Sequence, residues 1–210
     1  MGSRSTQATV PNEGFHSYTV VAVGKDGQES AESQSWQSPL AWQKLKTGFQ
    51  KSFSLAGVAA HNGELWVAGG MDTDGKRDEV LVFNPQTKKW RNGPKLPKPI
   101  SHAPLVSTGD KLYLLGGLTA SKDDDGVPVA TVYSLDTKNP DGIWMKEAEL
   151  PEPRFGGAAA WDCKRLVFGG GAATFEPNTP RPAAAAIWEL RSGKWRSIDD
   201  GLQPGGCDRR

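Results

Sequence analysis

Apolar residues in this chain fall in short runs separated by Gly, Pro, Asn and Asp, the pattern of many short strands joined by turns. Three of these runs end in a glycine pair, and each is followed by a tryptophan. They are Leu65-Trp66-Val67-Ala68-Gly69-Gly70 with Trp90, Leu112-Tyr113-Leu114-Leu115-Gly116-Gly117 with Trp144, and Leu166-Val167-Phe168-Gly169-Gly170 with Trp195. The glycine pairs recur at 47 and then 53 residues, and the tryptophans at 54 and then 51. A period near 50 assembled from short strands predicts a four-stranded unit that cannot bury its own faces and must stack on a copy of itself.

In the second copy the four strand segments are expected at 103–107, 111–115, 130–135 and 143–147. The first strand of a copy is rich in small residues, as in Ala56-Gly57-Val58-Ala59-Ala60 and Gly156-Gly157-Ala158-Ala159-Ala160. Small side chains belong where several sheets converge on one axis and space tapers. The second strand is a continuous apolar run, as a strand covered on both faces requires. Its closing glycine pair permits positive φ and close backbone approach. Each late tryptophan carries a large apolar plate to the outer strand, in reach of a neighbouring sheet.

Glycine pairs, an aromatic (Phe83, Tyr133, Trp188), the tryptophans and the corners Leu96-Pro97-Lys98-Pro99 and Leu150-Pro151-Glu152-Pro153-Arg154 together resemble kelch repeats over roughly residues 42–202. The aromatic-to-Trp spacing is seven in copies one and three and 11 in copy two, where 138–142 lengthens the hairpin. The resemblance implies an all-β fold, a partial β-propeller of about three four-stranded kelch blades. Residues 51–99, 100–151 and 152–202 are the expected blades, and 203–210 a tail. Upstream, 36–50 is expected as a linker and the outer strand of a preceding blade, around Trp42 and Leu45. Before it, Tyr18, Val20 and Ala22 alternate ahead of a turn at 24–27 and a polar return at 29–33. This 15–35 segment resembles the last two strands of a fibronectin type III domain, with Tyr18 in that family's tyrosine position and the earlier strands truncated. Residues 1–14 are polar and aperiodic. Three blades do not close a ring, so two apolar sheet faces are expected to be uncovered, to be met by the remaining blades of a longer chain or by a second copy.

Charge changes the picture little: 25 basic residues face 24 acidic ones, which leaves no electrostatic footprint for nucleic acid. No apolar stretch is long enough to span a bilayer and no signal peptide is seen, although Met1-Gly2-Ser3-Arg4-Ser5-Thr6 fits an N-myristoylation pattern. The fibronectin resemblance points to a secreted or cell-surface parent. The two cysteines, Cys163 and Cys207, have no metal-type spacing and are expected as free thiols.

Alternating strand direction places the second-to-third connections (71–79, 118–129, 171–182) on one rim with the blade-to-blade corners, and tight turns on the other. Long loops on a rigid scaffold are where binding resides. Lys76, Arg77, Lys98, His102, Arg154 and Arg181 are therefore the candidate partner-binding rim, suited to carboxylates of an acidic peptide or sugar. Asp72-Thr73-Asp74-Gly75 and Asp123-Asp124-Asp125-Gly126 hint at calcium but lack the full ligand set, so they read as turns and no metal or cofactor is expected. His16, His61 and His102 read as polar surface residues. No catalytic signature is present. The expected function is a non-catalytic interaction module for a protein or glycan; the alternative is a piece of a sialic acid mutarotase-like or galactose oxidase-like enzyme.

Overall fold

A computed structural model describes residues 17–19, 21–32, 36–37, 52–119, 126–139, 142–174 and 186–198. It divides into two compact units, Met1–Leu45 and Lys46–Arg210. The first holds a hairpin: Gly24 N–H donates to Gln28 O at 2.8 Å, an isolated bridge joins Val23 and Glu29, and Ser17–Tyr18 pairs with Trp36–Gln37. The pairing thus reaches beyond the residue-35 boundary expected from sequence. Trp42 and Leu45 lie outside the described residues.

The second unit contains three four-stranded antiparallel sheets, each in simple sequence order. Blade 1 is Gly57–His61, Glu64–Ala68, Val80–Asn84 and Lys89–Asn92. Blade 2 is Leu105–Ser107, Lys111–Leu115, Val132–Asp136 and Met145–Lys146. Blade 3 is Ala158–Trp161, Leu166–Gly169, Ile187–Arg191 and Lys194–Ser197. There is no helix among the described residues. Positive φ at both Asn62 and Gly63, and at both Ser192 and Gly193, gives the two-residue turns whose twist matches their strands.

Strand alternation assigns each blade two faces, and facing blades share a core. Trp66, Ala68, Val80 and Val82 of blade 1 pack on Leu105, Leu112, Leu114 and Leu135 of blade 2. The other face of blade 2, with Val106 and Val132, packs on Leu166, Phe168 and Trp188 of blade 3. Two of the late tryptophans lock these interfaces with a polar bond as well as area. Trp144 Nε1 donates to Pro94 O at 2.9 Å, and Trp195 Nε1 donates to Ala148 O at 2.9 Å, each acceptor lying in the segment leaving the previous blade. Trp90 instead packs on Phe83 of its own sheet, ring centroids 4.9 Å apart.

The inner strands approach as closely as their small residues allow. A Cβ on Gly57 would stand 2.7 Å from Ala103 O of the next blade. The glycine pairs also behave as expected, with one correction. Gly69 and Gly70 have φ of 65° and 94°, and Gly116 and Gly117 have 62° and 103°. In blade 3, however, the left-handed pair is Gly170 and Gly171, while Gly169 ends the strand opposite Ile187. Three consecutive glycines hid the register.

Two further expectations are revised. Cys163 is disulfide-bonded rather than a free thiol; Cys207 lies outside the described residues. Of the two end faces, that of blade 3 carries a groove of about 430 Å³ lined by Ala158, Ala160, Val167 and Ile187, with the two alanines exposed and Val167 buried. On blade 1 Val58 and Leu65 are 52% and 36% exposed, whereas Leu81 and Phe83 are buried.

Candidate partner-binding rim

The strands deliver the long connections to one rim, and backbone hydrogen bonds knit them together. In blade 1, Gly70 N–H donates to Ile100 O at 2.8 Å and Ile100 N–H donates to Arg77 O at 3.0 Å, tying the loop to the corner that leads to blade 2. Leu118–Thr119 pairs with that same corner at Ile100–Ser101 and, on its other side, with Val127–Pro128. Gly117 N–H donates to Arg154 O at 2.7 Å, repeating the link one blade on. The loops form small sheets of their own, one of three strands and one of two.

At the axis a second repeat was not legible beforehand. Leu55, His102 and Gly156 all have positive φ, of 58°, 56° and 67°. His102 N–H donates to Leu55 O and Gly156 N–H donates to His102 O, both at 2.8 Å. Each residue lies 14 positions before the first glycine of its pair, once blade 3 is read as Gly170-Gly171. The resulting ladder steps from blade to blade beside an opening of about 390 Å³, lined by glycines and alanines together with Leu55, Val58, His102, Pro104 and Leu105.

The candidate cations occupy different situations on this rim. Arg77 is engaged: its guanidinium donates to Asp72 Oδ2 at 2.5 Å, pairs with Glu79 and lies 5.8 Å from the Phe53 ring centroid. Arg154 is 4% exposed, pairs with Glu152 and stacks over Trp188 at 5.2 Å, so its charge is spent holding the corner to blade 3. His102 is half-buried, within 2.9 Å of Ser101 Oγ through Nδ1 and edge-on to Phe155. Lys76 reaches across to blade 2, where a Cβ on Gly126 would meet its Nζ at 2.9 Å. Lys98 is exposed at the corner. Arg181 lies outside the described residues. Lys76 and Lys98 make no ion pair among the described residues, so of the described rim candidates they carry the accessible charge.

Of the two acidic loops, Asp123 and Asp125 lie outside the described residues. Asp72 accepts the Asp74 N–H at 2.9 Å through Oδ1 and holds Arg77 through Oδ2, which accounts for both oxygens as a turn and its buttress.

His61, expected as a surface turn residue, is 3% exposed and joins two blades. The Asn62 amide donates to Nε2 at 3.0 Å and the Thr137 hydroxyl lies 2.5 Å from the same nitrogen. Nε2 is then the acceptor, and Nδ1–H donates to Ser107 Oγ at 2.8 Å. Burial lowers the pKa of the imidazole from 6.5, against the upward pull of Glu64 and Asp110. Only its partners, dispersed at Ser107 and Thr137, reveal this role, and nothing in the local sequence marks them.

The Kelch motif family matches residues 52–97. Beta-scruin of Limulus polyphemus is 27% identical over 143 residues, which cover 66% of this chain and 15% of that protein. The human Kelch repeat and BTB domain-containing protein 13 is 30% identical over 129 residues, 60% of this chain and 27% of the relative. The Rab9 effector protein with kelch motifs of Bos taurus is 26% identical over 111 residues, 51% of this chain and 27% of the relative. The chain therefore spans 15% to 27% of the length of these relatives. Among solved structures, YjhT aligns with a TM-score of 0.64 at 19% identity, covering 85% of this chain and 65% of that one. That likeness concerns the fold.

Proposed function

We propose that this chain, a member of the kelch-repeat family, is a non-catalytic interaction module that binds a partner protein across its long-loop rim. The observation that carries the reading is the knitting of the blade 1 and blade 2 loops to both corners, which fixes the backbone around Lys76 and Lys98 in advance of binding. A surface ordered beforehand loses less conformational entropy on association. The names of two relatives support it: one is a Rab9 effector with kelch motifs, and the other a kelch repeat and BTB domain-containing protein. They lend nothing to the mutarotase-like or oxidase-like alternative.

In this reading the rim recognises carboxylates of the partner through Lys76 and Lys98, while Arg77 and Arg154 hold the loops in place. The three blades form part of a ring completed by further blades or by a second copy. A photo-crosslinking side chain placed at Lys98, compared with one at Lys138 on the tight-turn rim, tests the assignment. The expected outcome is one protein captured from position 98 alone, whose purified form binds Lys98→Glu at least about tenfold more weakly. Capture from position 138 alone, or full affinity in Lys98→Glu, would remove the rim from consideration.

A further inference from the structure

We propose that the cleft between the outer strands of blades 1 and 2 is a second binding site, and that it takes an acidic linear peptide from a partner protein. The cleft holds about 590 Å³. Its floor is Trp66 and Leu135, one wall is Arg91, Asn92 and Lys95 of blade 1, and the other is Thr137 and Asn139 of blade 2. Gly142 and Ile143 complete the lining on the blade 2 side, in the hairpin whose aromatic-to-Trp spacing is 11 rather than seven.

Charge and shape select the ligand. The Arg91 guanidinium lies 5.4 Å from the Trp66 ring centroid, which steadies it over the floor. Arg91 and Lys95 each rest on one carboxylate, Glu64 at 2.6 Å and Asp78 at 3.1 Å. Both cations are more than half exposed, at 52% and 68%, and exposed pairs of this kind are weak and exchangeable. Two carboxylates of an incoming chain can displace them, while the Asn92 amide meets its peptide groups. Ile143, 72% exposed at the lip, offers an apolar contact beside the charges. A sugar ring or a nucleobase would want an aromatic face, and Trp66 is only 5% exposed. The matching cleft between blades 2 and 3 lacks this chemistry: counted from the late tryptophan, Met145 stands in the place of Arg91 and Glu149 in that of Lys95.

Fluorescence anisotropy at low salt with a labelled alternating glutamate–leucine hexapeptide, against its glutamine–leucine counterpart, tests the proposal. Saturable binding of the glutamate peptide is expected, about tenfold weaker in Arg91→Gln and in Lys95→Gln. Glu64→Gln, which removes the competing carboxylate, should bind more tightly, a gain that a merely structural role for Arg91 would not produce. Lys98→Gln, on the long-loop rim, should bind as wild type, so that failure here is separable from failure of the rim. Equal binding of the glutamine peptide, unchanged affinity in both cation variants, no gain in Glu64→Gln, or loss in Lys98→Gln overturns the proposal. Displacement by a heparin-derived oligosaccharide, itself bound more tightly than the peptide, overturns the ligand class.

Discussion

His61 shows how one side chain couples two repeats. With Nε2 accepting from Asn62 and Nδ1–H donating to Ser107, the neutral ring satisfies groups on both blades, and a proton on Nε2 would set a donor against the Asn62 amide. Because burial lowers its folded pKa, the neutral form is favoured in the fold. The sign follows: its contribution is present above the unfolded value near 6.5 and is lost as pH falls through that value toward the folded pKa. The urea midpoint of the chain should fall between neutral pH and pH 5, and His61→Gln should flatten that part of the profile. An unchanged slope in the variant would assign the acid sensitivity to other groups. Trp144 acts at the same scale. Trp144→Phe keeps most of the plate but deletes the donor to Pro94 O, so a loss of about 1 kcal/mol is expected by chemical denaturation. Trp195→Phe should cost a similar amount through Ala148 O.

The glycine pairs govern the element scale, where a strand must stop, turn left-handed and pass against a corner between blades. At Gly117 both demands coincide: φ is 103°, and an added Cβ would meet Ser101 O at 2.6 Å and Ala103 Cβ at 2.8 Å. Gly117→Ala is expected to destabilise by about 2 kcal/mol or more, combining strain with a backbone clash. Gly63→Ala, at a turn with open space around it, carries the strain alone and should cost less. The contrast separates conformational from packing effects in a thermal melt. Such positions were legible in the sequence because only glycine serves them, and the blades could be counted from them. The blade 3 pair slid by one because Gly169, Gly170 and Gly171 offered two registers and only φ distinguishes them. The axial residues Leu55, His102 and Gly156 were hidden for the opposite reason. Their shared conformation is imposed by the ladder between blades and not by residue type, so no common letter marks them. The rim cations were legible as loop residues, but their availability was not. Whether an arginine meets a partner depends on carboxylates such as Glu79 and Glu152, whose side chains the alternation of the strands does not aim.

At the scale of the whole molecule the question is what three stacked sheets do with their last face. Each internal interface buries aromatic and aliphatic side chains from both partners, as Phe168 and Trp188 do against Val106 and Val132. On the far side of blade 3 the same sheet offers Ala158, Ala160, Val167 and Ile187 to an open groove, with the Arg165–Glu189 pair at 3.0 Å on the same face. The first strand offers only alanines there, so it admits a flat neighbour in the way the inner strands of blades 1 and 2 admit each other. An uncovered apolar sheet face of this kind associates as concentration rises. Ala160 points into it from an exposed position and contributes nothing to the two internal cores. Ala160→Asp should therefore lower the weight-average mass measured by light scattering at high protein concentration and reduce binding of an apolar dye. The far-ultraviolet circular dichroism should be unchanged. A mass that is already that of one chain at every concentration, or one that Ala160→Asp leaves as it was, would mean that this face is satisfied without a partner, and the case for a fourth neighbour would fall with it.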